Sequence, residues 1–288
     1  MKFIDTVGYP KHIAEWLTTN EYDYQEGVVS ATSLLNPVRM KALTERHWNE
    51  LEMDIQHLES SRMGHAVHDS LEKAPMSNVL IQEKRFYTEI DGVKISGKPD
   101  LITKANEIIF NGKEMKLPID RIVNMDVNSI GHLKDYKTTK TWKWIYGSGD
   151  DDYIKQLSTY RYILFKNGYF LDDKGEIDFF FTNWQKKSAE KDKSYPQNKI
   201  RWKMFDLMTT DETEKWIKER LTLFKSVENT PDDELPECTK EEIWFEEDKY
   251  AIMKGKNIKA TKVLSDEKEA EVYIEYILET KPKLKRED

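Results

Sequence analysis

An α/β fold with a central mixed β-sheet flanked by helices is what this 288-residue sequence predicts. Three observations carry that expectation. Apolar residues recur at near-helical spacing from Leu51 to Leu71 and switch to strand-like runs after Ala74-Pro75. An Asp91-Gly92 pair sits between two such runs, where a tight hairpin needs it. Farther on the patterns keep alternating, giving the order helix, strands, helix, strands, helix.

Taken in order, residues 1–50 read as mostly helical, with Ser30, Thr32 or Ser33 as caps. From Trp48 to Lys73 the apolar positions Leu51, Ile55, Leu58, Met63, Val67 and Leu71 predict one helix. Pro75 ends it, because the residue before a proline is driven out of helical geometry. Residues 78–90 and 93–104 predict a β-hairpin about Asp91-Gly92. Residues 107–118 and 121–138 predict further strands, and 152–166 a helix closed by Asn167-Gly168. Strands follow at 176–184 and 199–208, then a helix at 211–227. The tail predicts a small hairpin over 243–264 and a helix over 265–280. The expected organisation is a main domain over 1–235, with a C-terminal extension over 236–288 packed on it.

Composition narrows the chemistry. Eight Trp, fourteen Tyr and eleven Phe argue for a packed core over disorder. The single cysteine, Cys238, rules out an internal disulfide, a four-cysteine zinc site and an iron–sulfur cluster within one chain. No stretch reaches the roughly 18 apolar residues of a membrane span. The expected location is therefore cytoplasmic, the host cytoplasm if the chain is phage-encoded. Net charge is −8, yet it is unevenly spread. Residues 184–203 hold seven Lys/Arg against two acids, and 134–143 hold four Lys against one Asp. Residues 206–248 hold fifteen acids against five bases. A phosphate-binding face with an acidic back fits that distribution.

Four short motifs carry the candidate chemistry. On the first long helix, Gly64, His68 and Glu72 share one face at four-residue spacing, so a glycine there invites a close neighbouring strand and His68 offers an imidazole. Gly97-Lys98-Pro99-Asp100 follows in the hairpin's returning arm. Its proline marks a break in the ladder, which aims Asp100 away from regular pairing. Asp135-Tyr136-Lys137 lies in a strand, where residues two apart share a face. Carboxylates beside a lysine suit phosphodiester cleavage: oxygen ligands hold a hard divalent cation, and an ammonium steadies developing negative charge. Gln156 and Tyr160, four apart on the next helix, place an amide and a hydroxyl together. Each motif alone is common.

Together and in this order, Gly-x-x-x-His, Pro-Asp, Asp-x-Lys preceded by Leu133, and Gln-x-x-x-Tyr resemble the RecB-like branch of the PD-(D/E)XK nucleases over about residues 60–165. The tail from Pro236 resembles those of phage-type exonucleases in that branch. The resemblance implies a restriction-endonuclease-like core with Asp100, Asp135 and Lys137 as catalytic residues. His68, Asp100, Asp135 and the Tyr136 carbonyl would bind Mg²⁺ or Mn²⁺. Gln156, Tyr160, Lys186 and Lys187 would meet the substrate, and Glu83 would be an additional or supporting ligand. With one cysteine, the chain resembles the members without an iron–sulfur cluster. It implies hydrolysis of DNA, foremost by an exonuclease acting on ends or single strands in phage-type replication or recombination, with a 5′ to 3′ lean. A single-strand-binding or annealing protein is the expected partner. The alternatives are a structure-specific or nicking endonuclease, and a DNA-binding accessory protein with a vestigial site. Trp142, Trp144, Trp184 and Trp202, interleaved with the basic segments, would stack bases.

Overall fold

The computed structural model describes residues 1–19, 25–116, 130–240, 242–243, 249–255 and 259–280. Contacts divide the chain into Met1–Pro236 and Glu237–Asp288.

The first unit opens with β1 (Lys2–Ile4), α1 (Lys11–Thr18), β2 (Val28–Ser30), α2 (Val38–Arg46) and β3 (Glu52–Asp54). The helical expectation for residues 1–50 is thus corrected by two strands. Both owe their geometry to distant partners: β1 pairs in parallel with β3, Lys2 opposite Glu52. Ser30 Oγ accepts the Ser33 N–H at 3.1 Å, opening a 3₁₀ turn over Ser33–Leu35, whereas Thr32 makes no side-chain cap there. The expected helix from Trp48 starts later, as α3 (Glu59–Glu72), because β3 and a 3₁₀ turn take its first residues.

Next come β4 (Val79–Gln82), β5 (Phe86–Ile90), β6 (Val93–Gly97) and β7 (Leu101–Lys104). Asp91 and Gly92 adopt φ of 49° and 78°, the left-handed pair a type I′ hairpin demands. The hairpin's outer arms leave it, however. β5 and β6 join β2 in a three-stranded sheet, while β4 and β7 pair in the central one. β8 (Glu107–Phe110) and β9 (Lys113–Lys116) form a second hairpin about Asn111-Gly112. The expected strand over 121–129 lies outside the described residues. Then follow β10 (Ile130–Thr139), α4 (Thr141–Tyr146), α5 (Asp150–Lys166), β11 (Phe170–Phe181), α6 (Lys186–Lys191), β12 (Ile200–Asp206) and α7 (Thr210–Ser226). A capping box between Thr209 and Glu212 fixes the start of α7.

The central sheet runs β12-β11-β10-β7-β4. Only β10 and β11 are parallel, joined through α4 and α5 as in a βαβ unit, and every other pair is antiparallel. This is the mixed sheet flanked by helices that the sequence predicts. α5 is buried over nearly its whole circumference between Tyr153 and Leu164. It packs on β10 and β11 and also on β5 and β6, and so joins the two sheets through Leu157, Ile163 and Leu164. α3 covers β10 from the opposite face. Gly64 approaches Thr138 there, while Leu157 of α5 meets Gly175, which sits beside Leu133.

The second unit holds β13 (Tyr250–Ile252) antiparallel to β14 (Lys262–Leu264), with α8 (Glu267–Thr280) packed on both strands. Residues 244–248 and 256–258 of the expected hairpin lie outside the described residues. Among the described residues no helix is long and apolar enough to cross a membrane.

Candidate metal centre

Pairing between β10 and β7 ends at Lys134 opposite Leu101. The next residue back along the chain is Asp100, which Pro99 has turned out of the ladder. From Asp135 onward, therefore, the β7 side of β10 has lost its neighbouring strand. The Tyr136 N–H, which would otherwise face empty space, donates to Asp100 Oδ2 at 2.7 Å. Asp100 thus replaces a strand at that point. Its own backbone carbonyl accepts the Glu83 N–H at 3.1 Å just past the end of β4.

Other side chains converge on this gap. His68, from α3, places Nε2 at 3.1 Å from the Tyr136 carbonyl and Nδ1 at 3.6 Å from both Glu83 Oε1 and Asp100 Oδ1. Donor atoms of His68, Glu83 and Asp100 all lie within 4.8 Å of one another. Glu83 sits at φ 47°, in the left-handed region that costs a β-carbon residue strain. Lys98 Nζ holds its other oxygen at 2.6 Å. Asp135 and Lys137 project from one face of β10, as their spacing requires, with Nζ at 2.5 Å from Asp135 Oδ2. That oxygen is buried and, apart from the ion pair, has no hydrogen bond among the described residues. A cavity of about 350 Å³ opens over the cluster, lined by His68, Glu72, Glu83, Arg85, Lys98 and Asp100 among others.

The charges are frustrated as they stand. Burial, then the Asp135 carboxylate, pushes the Asp100 pKa up from 3.8 to about 7. Burial opposes a charged His68, but Glu83, Asp100 and Asp135 outweigh it and hold its pKa above the ordinary value. Lys137 is likewise opposed by burial and raised by Asp135 and Asp100. So His68 lies between the Glu83 and Asp100 carboxylates, while burial and Asp135 hold Asp100 towards its protonated form. Oxygen donors with a single imidazole suit Mg²⁺ or Mn²⁺. A cation there would bind His68 at Nδ1, in place of any proton on that atom. The Nε2–H could then remain on the Tyr136 carbonyl, the orienting bond that metal-bound histidines ordinarily make. The donor set, with an Asp135 Oδ2 held only by the Lys137 ion pair, therefore fits a divalent ion.

Beneath the gap, Gln156 and Tyr160 of α5 are buried and bonded to each other, amide to phenol oxygen at 2.8 Å. Tyr160 also lines the cavity. A β-carbon on Gly97 would stand 2.8 Å from Tyr160 Cδ1, so the glycine of Gly97-Lys98-Pro99-Asp100 is what lets β6 lie on α5. Gly64, by contrast, leaves room: a β-carbon there would meet only Thr138, at 3.9 Å. Lys186 and Lys187 are exposed at the start of α6, at the sheet end where Thr139 pairs with Phe181. They are not among the residues that contact the cluster. Of the tryptophans, Trp144 and Trp184 pack on the core, Trp184 donating to the Pro196 carbonyl at 2.7 Å, whereas Trp202 is 62% exposed. Glu83 is the residue whose weight the sequence understated; Lys98, its partner, was visible beside Asp100.

No family model matches the chain, and no curated protein does. Several solved structures are distantly similar, two of them as follows. That of SSO0001 has 16% identity and a TM-score of 0.43, covering 73% of this chain and 81% of the other. That of a phage related exonuclease from Haemophilus somnus 129PT has 14% identity and a TM-score of 0.38, covering 71% and 93%. Likeness at this level assigns neither a reaction nor a substrate.

Proposed function

We propose that this chain is a metal-dependent deoxyribonuclease of the PD-(D/E)XK class. The observation that supports it best is the convergence of His68, Glu83, Asp100, Asp135 and Lys137 where β7 leaves β10, with Asp135 Oδ2 buried and held by the Lys137 ion pair alone. In this reading Glu83, Asp100, Asp135 and His68 Nδ1 hold Mg²⁺ or Mn²⁺, while the Tyr136 carbonyl, expected from the resemblance as a further ligand, instead orients the ring from Nε2. When bound, the ion lowers the pKa of a water and offsets charge on the attacked phosphate. Lys137, kept protonated by the two aspartates, orients that water and steadies the phosphate oxygens. Asp100 fixes the strand edge through the Tyr136 N–H, so the carboxylate and ammonium of β10 keep their register. Gln156 and Tyr160 support the floor on which a DNA backbone would rest, and Lys186 and Lys187 contact its phosphates farther out.

Exonucleolytic action on DNA ends is the form we favour, with an annealing or single-strand-binding protein as partner. The experiment compares linear duplex with covalently closed circles in Mg²⁺, Mn²⁺ and EDTA. Linear DNA is expected to shorten to small products while circles persist, and EDTA is expected to stop both reactions. Rapid linearisation of circles would favour the endonuclease reading. No cleavage in either cation would remove the proposal.

A further inference from the structure

β12 closes one edge of the central sheet, and among the described residues no strand pairs with its outer side. Its seven residues span about 23 Å at the usual rise of a strand. One face carries Ile200, Trp202 and Met204, which are 50%, 62% and 44% exposed. The other face carries Arg201 and Lys203, and Lys199 precedes them, exposed. A long edge with an apolar stripe is a liability that proteins ordinarily blunt. Here Trp202, the residue most costly to leave in water, stands out from it.

We propose that β12 is a docking edge for an extended protein segment that adds as a further antiparallel or parallel strand. The segment would present apolar side chains on the Ile200–Trp202–Met204 face and carboxylates on the Arg201–Lys203 face. Main-chain groups along the edge supply affinity in this mode, and alternate side chains supply selectivity. Charge complementarity names the occupant. Lys203 is already paired with Asp150, so Arg201, whose guanidinium lies over Trp144 with its Nε buried and without a hydrogen bond among the described residues, and the exposed Lys199 are the cations left to meet an acid. Self-pairing of two copies would set Arg201 and Lys203 against their own like charges, which cross-strand pairs disfavour.

A DNA strand stacked on Trp202 is the rival occupant, and the neighbours argue against it. On the apolar face Trp202 is paired in register with Asp178, and Met204 with Glu176. Phosphates crossing that face would meet the Asp178 carboxylate, beside a Glu176 already paired with Lys134. A peptide strand with apolar side chains meets no such penalty. This inference goes beyond the proposed reaction and does not depend on it.

The test uses a labelled nine-residue peptide alternating glutamate and valine, its block-sequence isomer of the same composition, and a labelled oligothymidine, each titrated into the full chain. The alternating peptide is expected to bind more tightly than its isomer and to slow hydrogen exchange at the amides of Ile200–Asp206. Trp202→Glu is expected to weaken that binding by about tenfold or more, as loss of a buried aromatic anchor does, with the far-ultraviolet spectrum unchanged. Absence of peptide binding up to about 1 mM, the weak limit of specific recognition, would overturn the proposal. So would binding that Trp202→Glu leaves unaltered. Loss of oligothymidine binding in that variant, without loss of peptide binding, would assign the edge to DNA. Dimerisation of the protein alone that Trp202→Glu abolishes would assign it to a second copy.

Discussion

Replacing Asp100 by asparagine should stabilise the protein when no divalent ion is present. The side chain is 7% exposed and faces Asp135 across the gap. Its folded pKa of about 7, against 3.8 in the unfolded chain, means that the folded state favours the protonated acid. Below about pH 4 the group is protonated in both states and costs nothing. As pH rises towards 7 the unfolded chain releases the proton first, so stability falls across that window and stays lower above it. The full gap corresponds to about 4 kcal/mol, from about 1.4 kcal/mol per pKa unit. Asparagine keeps an oxygen for the Tyr136 N–H and removes the charge. In EDTA at pH 8, urea unfolding should therefore show Asp100→Asn more stable than wild type by about 2–4 kcal/mol, with that advantage fading towards pH 4. Adding Mn²⁺ should reverse the order, because the wild type alone gains binding energy on folding. A variant less stable than wild type in EDTA at pH 8, or an advantage that does not fade on acidification, would refute this reading of the site.

Other perturbations separate the ligands from their supports. Glu83→Gln keeps size and shape but not charge, and should weaken Mn²⁺ binding by about tenfold or more in titration calorimetry, the scale of losing a supporting ligand; unchanged affinity would exclude Glu83 from the ligand set. Gly97→Ala drives a β-carbon to 2.8 Å from Tyr160 and 3.0 Å from Ile163, and should cost about 1–3 kcal/mol. Combining it with Tyr160→Leu should cost less than the sum of the two, which thermal unfolding of the three variants checks. Asp173→Ala leaves the Arg161 guanidinium, 1% exposed, without its carboxylate, and should cost about 3–5 kcal/mol by urea unfolding. A loss under about 1 kcal/mol would mean that the Leu171 and Met208 carbonyls and Asn111 Oδ1 suffice for that charge.

Local chemistry made much of this architecture readable from the chain. Asp91-Gly92 announces a turn because few other pairs tolerate two left-handed residues, and it forms a hairpin; Asn111-Gly112, inside the stretch expected as strand over 107–118, turns the same way and splits it into β8 and β9. Asp135 and Lys137 share a face because strand geometry alone puts them there. What stayed hidden depends on partners far away in sequence. β2 takes its form from β6, more than 60 residues on, so residues 28–30 carry too little local signal to be told from a helix. The arm predicted over 78–90 divides because β4 turns to β7 while β5 turns to β6, a choice that Glu83's left-handed backbone makes and no propensity foretells. In the basic stretch 184–203 the strand expected from 199 forms as β12, but α6 is not legible in the sequence, because so short a helix offers too few turns for periodicity to show. Asp100 illustrates the middle case. Its proline signalled a broken ladder, but only the fold reveals that the carboxylate substitutes for the missing strand at Tyr136.

The central claim is that these carboxylates hold a cation for cutting DNA. It is tested most directly by following an end-labelled linear duplex with wild-type protein and Asp135→Ala, in Mn²⁺ and again in EDTA. The account predicts cleavage by wild type in Mn²⁺ alone and less than about one per cent of that rate for the variant, the usual scale of losing such electrostatic stabilisation. Cleavage that persists in EDTA, or an Asp135→Ala rate near wild type, would contradict it.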